Sequence, residues 1–224
     1  MRRLWFLLTF GLIGTAILLA LGTWQVQRLA WKQDLLGNIE AQIGADPVAL
    51  SDALEPQFRR YAPVAITGKF DPGHIRMLAS RKTTGAAYRI IRPFETLAGG
   101  RILIDTGWQP VGVKVAEPPR DEMDLIGNLD NPIEADGFTP APDIEKNIWF
   151  ARDVPAMADH LGTDPILVVL RDGPQSDLGV TPWPVDTAGI SNDHLQYAIT
   201  WFSLAAIWAG MTFYFLWRPR AKKG

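Results

Sequence analysis

The stretch LWFLLTFGLIGTAILLALGTWQVQ, residues 4–27, runs for 24 residues without a charge, and LQYAITWFSLAAIWAGMTFYFLW, residues 195–217, does the same over 23. At about 1.5 Å per residue, helices of this length reach roughly 35 Å, enough to cross a hydrocarbon core of about 30 Å with some tilt. These two stretches decide the fold class, because they predict a two-helix transmembrane hairpin flanking whatever lies between them. The first reads as a retained anchor. Its apolar run is longer than the roughly 7–15 residues of a cleaved leader, and Leu18 occupies the −3 position of the best cleavage point, after Ala20.

The flanks set an orientation. The 224 residues hold 22 Lys or Arg and 24 Asp or Glu, a formal net charge of −2. Six basic residues, Arg2, Arg3, Arg218, Arg220, Lys222 and Lys223, sit at the two ends without an acidic neighbour. The other 16 share the stretch between with all 24 acidic residues, which gives that stretch a charge of −8. The positive-inside rule therefore predicts both termini in the cytoplasm, and Arg28 and Lys32 beyond the first span do not outweigh the two basic ends. The expected layout is a first transmembrane helix over 4–27, a juxtamembrane helical stalk over 28–46, a periplasmic β-rich domain over 47–189, a second transmembrane helix over 190–217 and a basic cytoplasmic tail over 218–224. Gly11, Thr15 and Gly22, opposite Ser203, Ala206 and Gly210, are the small residues that would let the spans approach, with Ala206-x-x-x-Gly210 the better-formed pattern.

Beyond the first span, Trp24, Arg28, Trp31, Leu35, Ile39 and Ile43 recur every three or four residues, so the helix is expected to emerge as an amphipathic stalk ended by Gly44 and Pro47. Short runs over 61–70, 75–80, 87–94, 101–106, 124–129 and 166–171 read as strands, separated by Asp-Pro-Gly, Gly-Gly and Pro-Pro turns. Residues 154–161 read as one short helix closed by Gly162, and 173–189 as an irregular tether. The fold class expected is membrane α plus soluble β, the β part being a small antiparallel barrel or sandwich.

Composition excludes several chemistries. Without a single Cys there is no disulfide framework, thiolate nucleophile or cysteine metal site. Near-neutral charge leaves no footprint for nucleic acid. Phosphate-binding glycine loops and the nucleophile elbow are missing from the chain. His74, His160 and His194 never fall at i,i+4 spacing, and Asp121, Glu122 and Asp124 read as a solvated loop. His194 stands apart because it begins the second span, with Asn192 or Asp193 as its cap. In helical phase His194, Tyr197, Ala198, Trp201, Ala205, Trp208 and Thr212 share one face, and Trp24, Gln27, Arg28 and Trp31 form a polar-aromatic patch at the same depth of the first helix. An imidazole beside aromatic rings and cations suits a flat apolar macrocycle bearing carboxylates, and haem is the obvious candidate. Interfacial aromatic belts give the same residues a second reading as ordinary membrane anchors.

Two long stretches carry a resemblance. Leu21-Gly22-Thr23-Trp24-Gln25-x-x-Arg28-Leu29-x-Trp31-Lys32 and Asn192-Asp193-His194-Leu195-Gln196-Tyr197-Ala198-Ile199-Thr200-Trp201-Phe202-Ser203 are similar to the signatures of the surfeit locus protein 1 family. Between them Tyr61…Gly68-x-Phe70, Thr106-Gly107-Trp108-Gln109-Pro110, Gly127-x-Leu129 and Asn147-x-Trp149 fall in the family's order. The resemblance implies an assembly factor for haem-copper (cytochrome c) oxidase, held in a bacterial inner membrane, that receives haem a from haem a synthase and supplies it to oxidase subunit I. It also implies that His194 is the haem iron ligand, that Trp201 and Tyr197 support the ring, and that no enzymatic step is involved. Trp24 and Arg28 complete the expected cofactor site, with Arg28 or Lys32 pairing a propionate. Thr106 departs from the Arg that the family usually carries before Gly-Trp, and Arg101 or Arg89 would have to replace that cation. The alternatives are a cofactor-free scaffold for immature subunit I, an outer-domain enzyme and a ligand sensor.

Overall fold

The computed structural model describes residues 2–81, 85–174 and 177–218. Arg220, Lys222 and Lys223 of the expected basic tail lie outside the described residues. The elements, in order, are α1 (Arg2–Ile43), β1 (Val48–Ala49), α2 (Leu50–Leu54), β2 (Pro63–Phe70), β3 (Ile75–Arg81), β4 (Gly85–Thr96), β5 (Arg101–Pro110), β6 (Met123–Asp130), β7 (Ile148–Trp149), α3 (Val154–Leu161), β8 (Leu167–Asp172) and α4 (His194–Trp217). They divide into two compact units: Met1–Asn38 with Thr187–Gly224, and Ile39–Asp186.

In the first unit, α1 and α4 are both long and apolar enough to cross a membrane. Phe6, Leu12, Ile13 and Ile17 on α1 and Ile207 and Phe213 on α4 are exposed. Helices inside a soluble core bury such side chains, whereas helices facing acyl chains display them. Threonine hydroxyls within these helices find partners four residues back: Thr9 donates to Trp5 O and Thr15 to Gly11 O, each at 2.8 Å, and Thr200 donates to Gln196 O at 2.9 Å. These threonine hydroxyls are thereby satisfied in an apolar setting.

The second unit is a single mixed sheet ordered β1-β2-β6-β8-β5-β4-β3-β7. All six expected strands and the helix at Val154–Leu161 form, and β1, α2 and β7, each of five residues or fewer, are additions. The expected antiparallel barrel or sandwich is corrected. Three pairings, β1–β2, β3–β7 and β5–β8, are parallel, and the sheet curls without becoming a closed antiparallel barrel. The parallel β5–β8 pair is possible because the chain returns through β6, a long loop and α3, ample length for a crossover. Curling brings β2 against β4 at Gly68–Thr96, Lys69–Glu95 and Phe70–Phe94. Gly68 is required there, since a Cβ would lie 2.1 Å from Glu95 O.

Apolar side chains fill both faces of the middle strands. One core gathers Ile66, Ile90, Phe94, Ile104, Leu125 and Val168; the other gathers Ile75, Ile91, Leu103, Trp149, Met157 and Leu167 under α3. Asp153 caps α3 by accepting from Ala156 N at 3.2 Å, and Gly162 ends it in the left-handed conformation. The supposed tether also joins this unit. Leu178 and Val180 are buried in the first core, and Thr181 exchanges backbone hydrogen bonds of 2.9 and 2.8 Å with Trp108. The end of α1 is covered as well: Ile43 O accepts from Asn128 Nδ2 at 3.0 Å and from Arg171 Nη1 at 3.1 Å, which satisfies a carbonyl a helix terminus leaves free.

Charges inside the sheet are paired. Arg89 Nε donates to Asp105 Oδ2 at 2.6 Å, with Asp105 fully buried, and Arg89 Nη2 donates to Trp183 O at 3.0 Å. Arg152 joins Asp130 and Glu134, and Arg60 reaches the other oxygen of Asp130. Burial would raise the Glu134 carboxyl, but the hydrogen bonds and charge of Arg152 hold it below the usual carboxylate range. Arg92 is buried and donates to Ala116 O at 2.6 Å, and desolvation pushes it down to about 10. Arg89→Ala is expected to destabilise the protein by about 3–5 kcal/mol, because it strands the Asp105 carboxylate. Replacing Arg89 and Asp105 together by leucine should recover most of that loss in denaturant melts followed by tryptophan fluorescence.

Candidate functional site

The site follows from how α1 and α4 pack. They run antiparallel, and their shared seam is built from small residues on α1 and larger ones on α4. A Cβ on Gly11 would meet Thr212 at 2.1 Å, one on Gly14 would meet the Trp208 indole at 2.4 Å, and one on Gly22 would meet Phe202 at 2.8 Å. Trp208 Nε1 donates to Gly11 O at 3.2 Å, so the deep tryptophan of α4 is an interhelical contact. On the α4 side Ala198 and Ala205 are buried. Gly11 and Gly22 lie in the seam as expected, whereas Ser203, Ala206 and Gly210 are exposed and face away from it. The Ala206-x-x-x-Gly210 pattern is thus no packing motif here: a Cβ on Gly210 would meet nothing within 4 Å.

At the end of the seam stands His194. Its Nδ1 lies 2.8 Å from Oε1 of Gln25, an amide only 8% exposed on α1. Gln25 follows Gly22 by three residues and His194 precedes Ala198 by four, so each sits one turn beyond the last small seam residue of its own helix. Asp193 takes the N-cap position as expected, but its side chain makes no cap bond and accepts instead from Ser191 Oγ at 2.5 Å. Asn192 Oδ1 is buried without a hydrogen-bond partner among the described residues.

The other expected site residues are placed around this pair rather than within it. Trp24 and Tyr197 are 50% and 55% exposed, and Trp201 is half-buried. Arg28 is exposed, with its guanidinium 4.3 Å from the Trp31 ring of its own helix. Lys32 is half-buried, and neither cation has a carboxylate partner among the described residues. On the His194 face Ala198 and Ala205 are buried, and Thr212 and Trp208 pack against Gly11 and Gly14 of α1. An apolar cleft of about 380 Å³ lies on the hairpin, lined by Gly14, Ile17, Leu18, Leu204, Ile207, Trp208 and Met211.

The remaining candidates are structural. His74 is half-buried, and burial first, then Arg92 and Arg76, hold its imidazole below the usual value. His160 packs 5.6 Å from the Trp149 ring. Thr106 donates to Ile90 O at 2.9 Å inside the sheet. Neither Arg expected to substitute for a cation at that position is free: Arg89 is spent on Asp105, and Arg101 donates to Asp71 at 2.8 Å and to Gly162 O at 2.7 Å.

Gln25 was missed as a site residue, although it stands in the first signature. The signal lay in the antiparallel count, since the lone amide of the first seam falls opposite the lone imidazole of the second. A single imidazole is too few donors for a closed site around a bare metal ion, and among the described residues no group of three or more His, Asp or Glu could hold one. One imidazole nitrogen is what an axial position needs.

The fold combines two helices long and apolar enough to cross a membrane with a mixed β unit, and a Gln25–His194 pair stands at the start of α4. Residues 12–206 match the SURF1 family, and the chain belongs to that family. It is 31% identical to Surfeit locus protein 1 of Rattus norvegicus, over 90% of this chain and 72% of that one. Identity to Surfeit locus protein 1 of Homo sapiens is 34%, over 83% and 69%. With the SURF1-like protein of Rickettsia felis it is 29%, over 87% and 89%.

Two substitutions test the seam. Trp208→Phe, which removes one interhelical hydrogen bond, should cost about 0.6 kcal/mol. Gly14→Leu, which drives the helices apart, should lower the melting temperature in detergent micelles by clearly more.

Proposed function

We propose that this protein is a non-enzymatic assembly factor for haem-copper (cytochrome c) oxidase, which carries haem a at the start of α4 and supplies it to oxidase subunit I. The observation that supports this most is the imidazole of His194, hydrogen-bonded through Nδ1 and so leaving Nε2 as a donor, in a chain of this family. Ligating histidines usually engage their second nitrogen in this way, so the donor present fits an axial position. When bound, haem a would contribute its iron and a hydrocarbon tail of roughly fifteen carbons. Burying that tail could be worth up to about 0.8 kcal/mol per CH₂, so the molecule does not diffuse freely through water and needs a carrier.

In this reading His194 binds the iron, Trp201 and Tyr197 flank the ring, Trp24 anchors the same level of the first helix, and Arg28 or Lys32 pairs with a propionate. The exposure of Tyr197 and Trp24 and the lack of a carboxylate partner for Arg28 suit those roles. The apolar cleft on the hairpin suits an acyl or isoprenoid chain. Both termini lie in the cytoplasm and residues 47–189 in the periplasm of a bacterial inner membrane, with haem a synthase as donor and subunit I as acceptor.

A second reading, a cofactor-free scaffold for immature subunit I, draws support from the burial of Ala198 and Ala205, which keeps the helices close at their level. One experiment separates the two. Protein purified from cells that make haem a should show a Soret band, and His194→Ala should abolish it. Arg28→Ala should weaken occupancy and blunt its dependence on salt. A colourless wild-type preparation that still supports oxidase assembly would establish the scaffold reading.

A further inference from the structure

Gln25 is a buried amide on α1, one turn past Gly22, and its oxygen meets the Nδ1 of His194 at 2.8 Å. A neutral imidazole carries one proton, and the nitrogen that keeps its lone pair is decided by what the other nitrogen bonds. Histidine side chains with no partner favour the proton on Nε2. The lone pair then sits on Nδ1, close to the backbone, where a broad planar ring is obstructed. An acceptor at Nδ1 reverses that preference.

We infer that Gln25 is the positioning residue of the site: its carbonyl oxygen accepts the Nδ1 proton of His194, fixes the Nδ1–H tautomer and leaves the lone pair on Nε2, the nitrogen that can reach a ligand. The tautomer stands on the hydrogen bond itself, and its consequence for iron rests on the haem reading above. Glutamine suits the position better than a carboxylate, because it accepts a proton without bringing a charge into the seam. The register of the hairpin holds the amide in place: Gly22 packs on Phe202 one turn away on α1, and Ala198 is buried one turn away on α4. The hydrogen bond is therefore imposed by the packing of two helices rather than by local sequence.

The test uses the full-length protein in lipid nanodiscs with ¹⁵N-labelled histidine and no haem, the His194 signals being assigned by their loss in His194→Ala. Wild type should show His194 protonated on Nδ1. Gln25→Leu should move the proton to Nε2, and Gln25→Glu should keep it on Nδ1. Haemin titrated into the same preparations should bind about 10–100-fold more weakly to Gln25→Leu. With Gln25→Glu it should bind near wild-type strength but be harder to reduce, because a carboxylate makes the ring a stronger donor. Wild type protonated on Nε2, or Gln25→Leu with unchanged tautomer and affinity, would overturn the assignment. If Gln25→Leu fails to fold, the tautomers of wild type and Gln25→Glu decide. A tautomer switch in protein that binds no haemin upholds Gln25 and removes the haem reading, so the two ideas fail separately.

Discussion

Polar atoms in an apolar seam must find their partners inside it, and the helical hairpin is organised around that requirement. Two interhelical hydrogen bonds meet it: Gln25 with His194 at one end, and Trp208 with the Gly11 carbonyl toward the other. Glycines at 11, 14 and 22 let the backbones come close enough for both bonds to close, and each accommodates a particular larger side chain of α4. A slip of one helical turn, about 5.4 Å, would unpair the amide and the imidazole and move Trp208 off Gly14. Register, close packing and the position of His194 are therefore one constraint.

The mixed sheet solves the same problem by other means. Its central strands are covered on both faces, so their side chains are apolar almost without alternation. Where Arg89 and Asp105 interrupt that pattern they bond to each other, and where Arg92 does so it finds a backbone carbonyl. These cations are consumed by the fold. Arg28 and Lys32 on α1, by contrast, have no carboxylate partner among the described residues.

Much of this could be read from the chain. Charge-free runs of 24 and 23 residues form helices long and apolar enough to cross a membrane, and six strands and the helix at Val154–Leu161 appear where turn residues and apolar runs place them. The site was half legible. His194 stood out because it begins the second helix, but a stripe of alanines and tryptophans looks the same whether it borders a cofactor or another helix. Ser203, Ala206 and Gly210 were misassigned for the same reason, since small residues mark close approach without saying to what. The barrel was misjudged because strand runs carry no record of partner or direction, and a parallel β5–β8 pair depends on a crossover some sixty residues long.

What the sequence determined by itself was local and compositional: helix length against bilayer thickness, turn chemistry, the lack of cysteine chemistry, and the family signatures. Pairing was decided only by tertiary structure. That Gln25 meets His194, across a separation of 169 residues, is a fact about the register of two packed helices. No periodicity along either helix contains it, because a hydrogen bond between them depends on their relative position, and a linear pattern states only which face each residue shares.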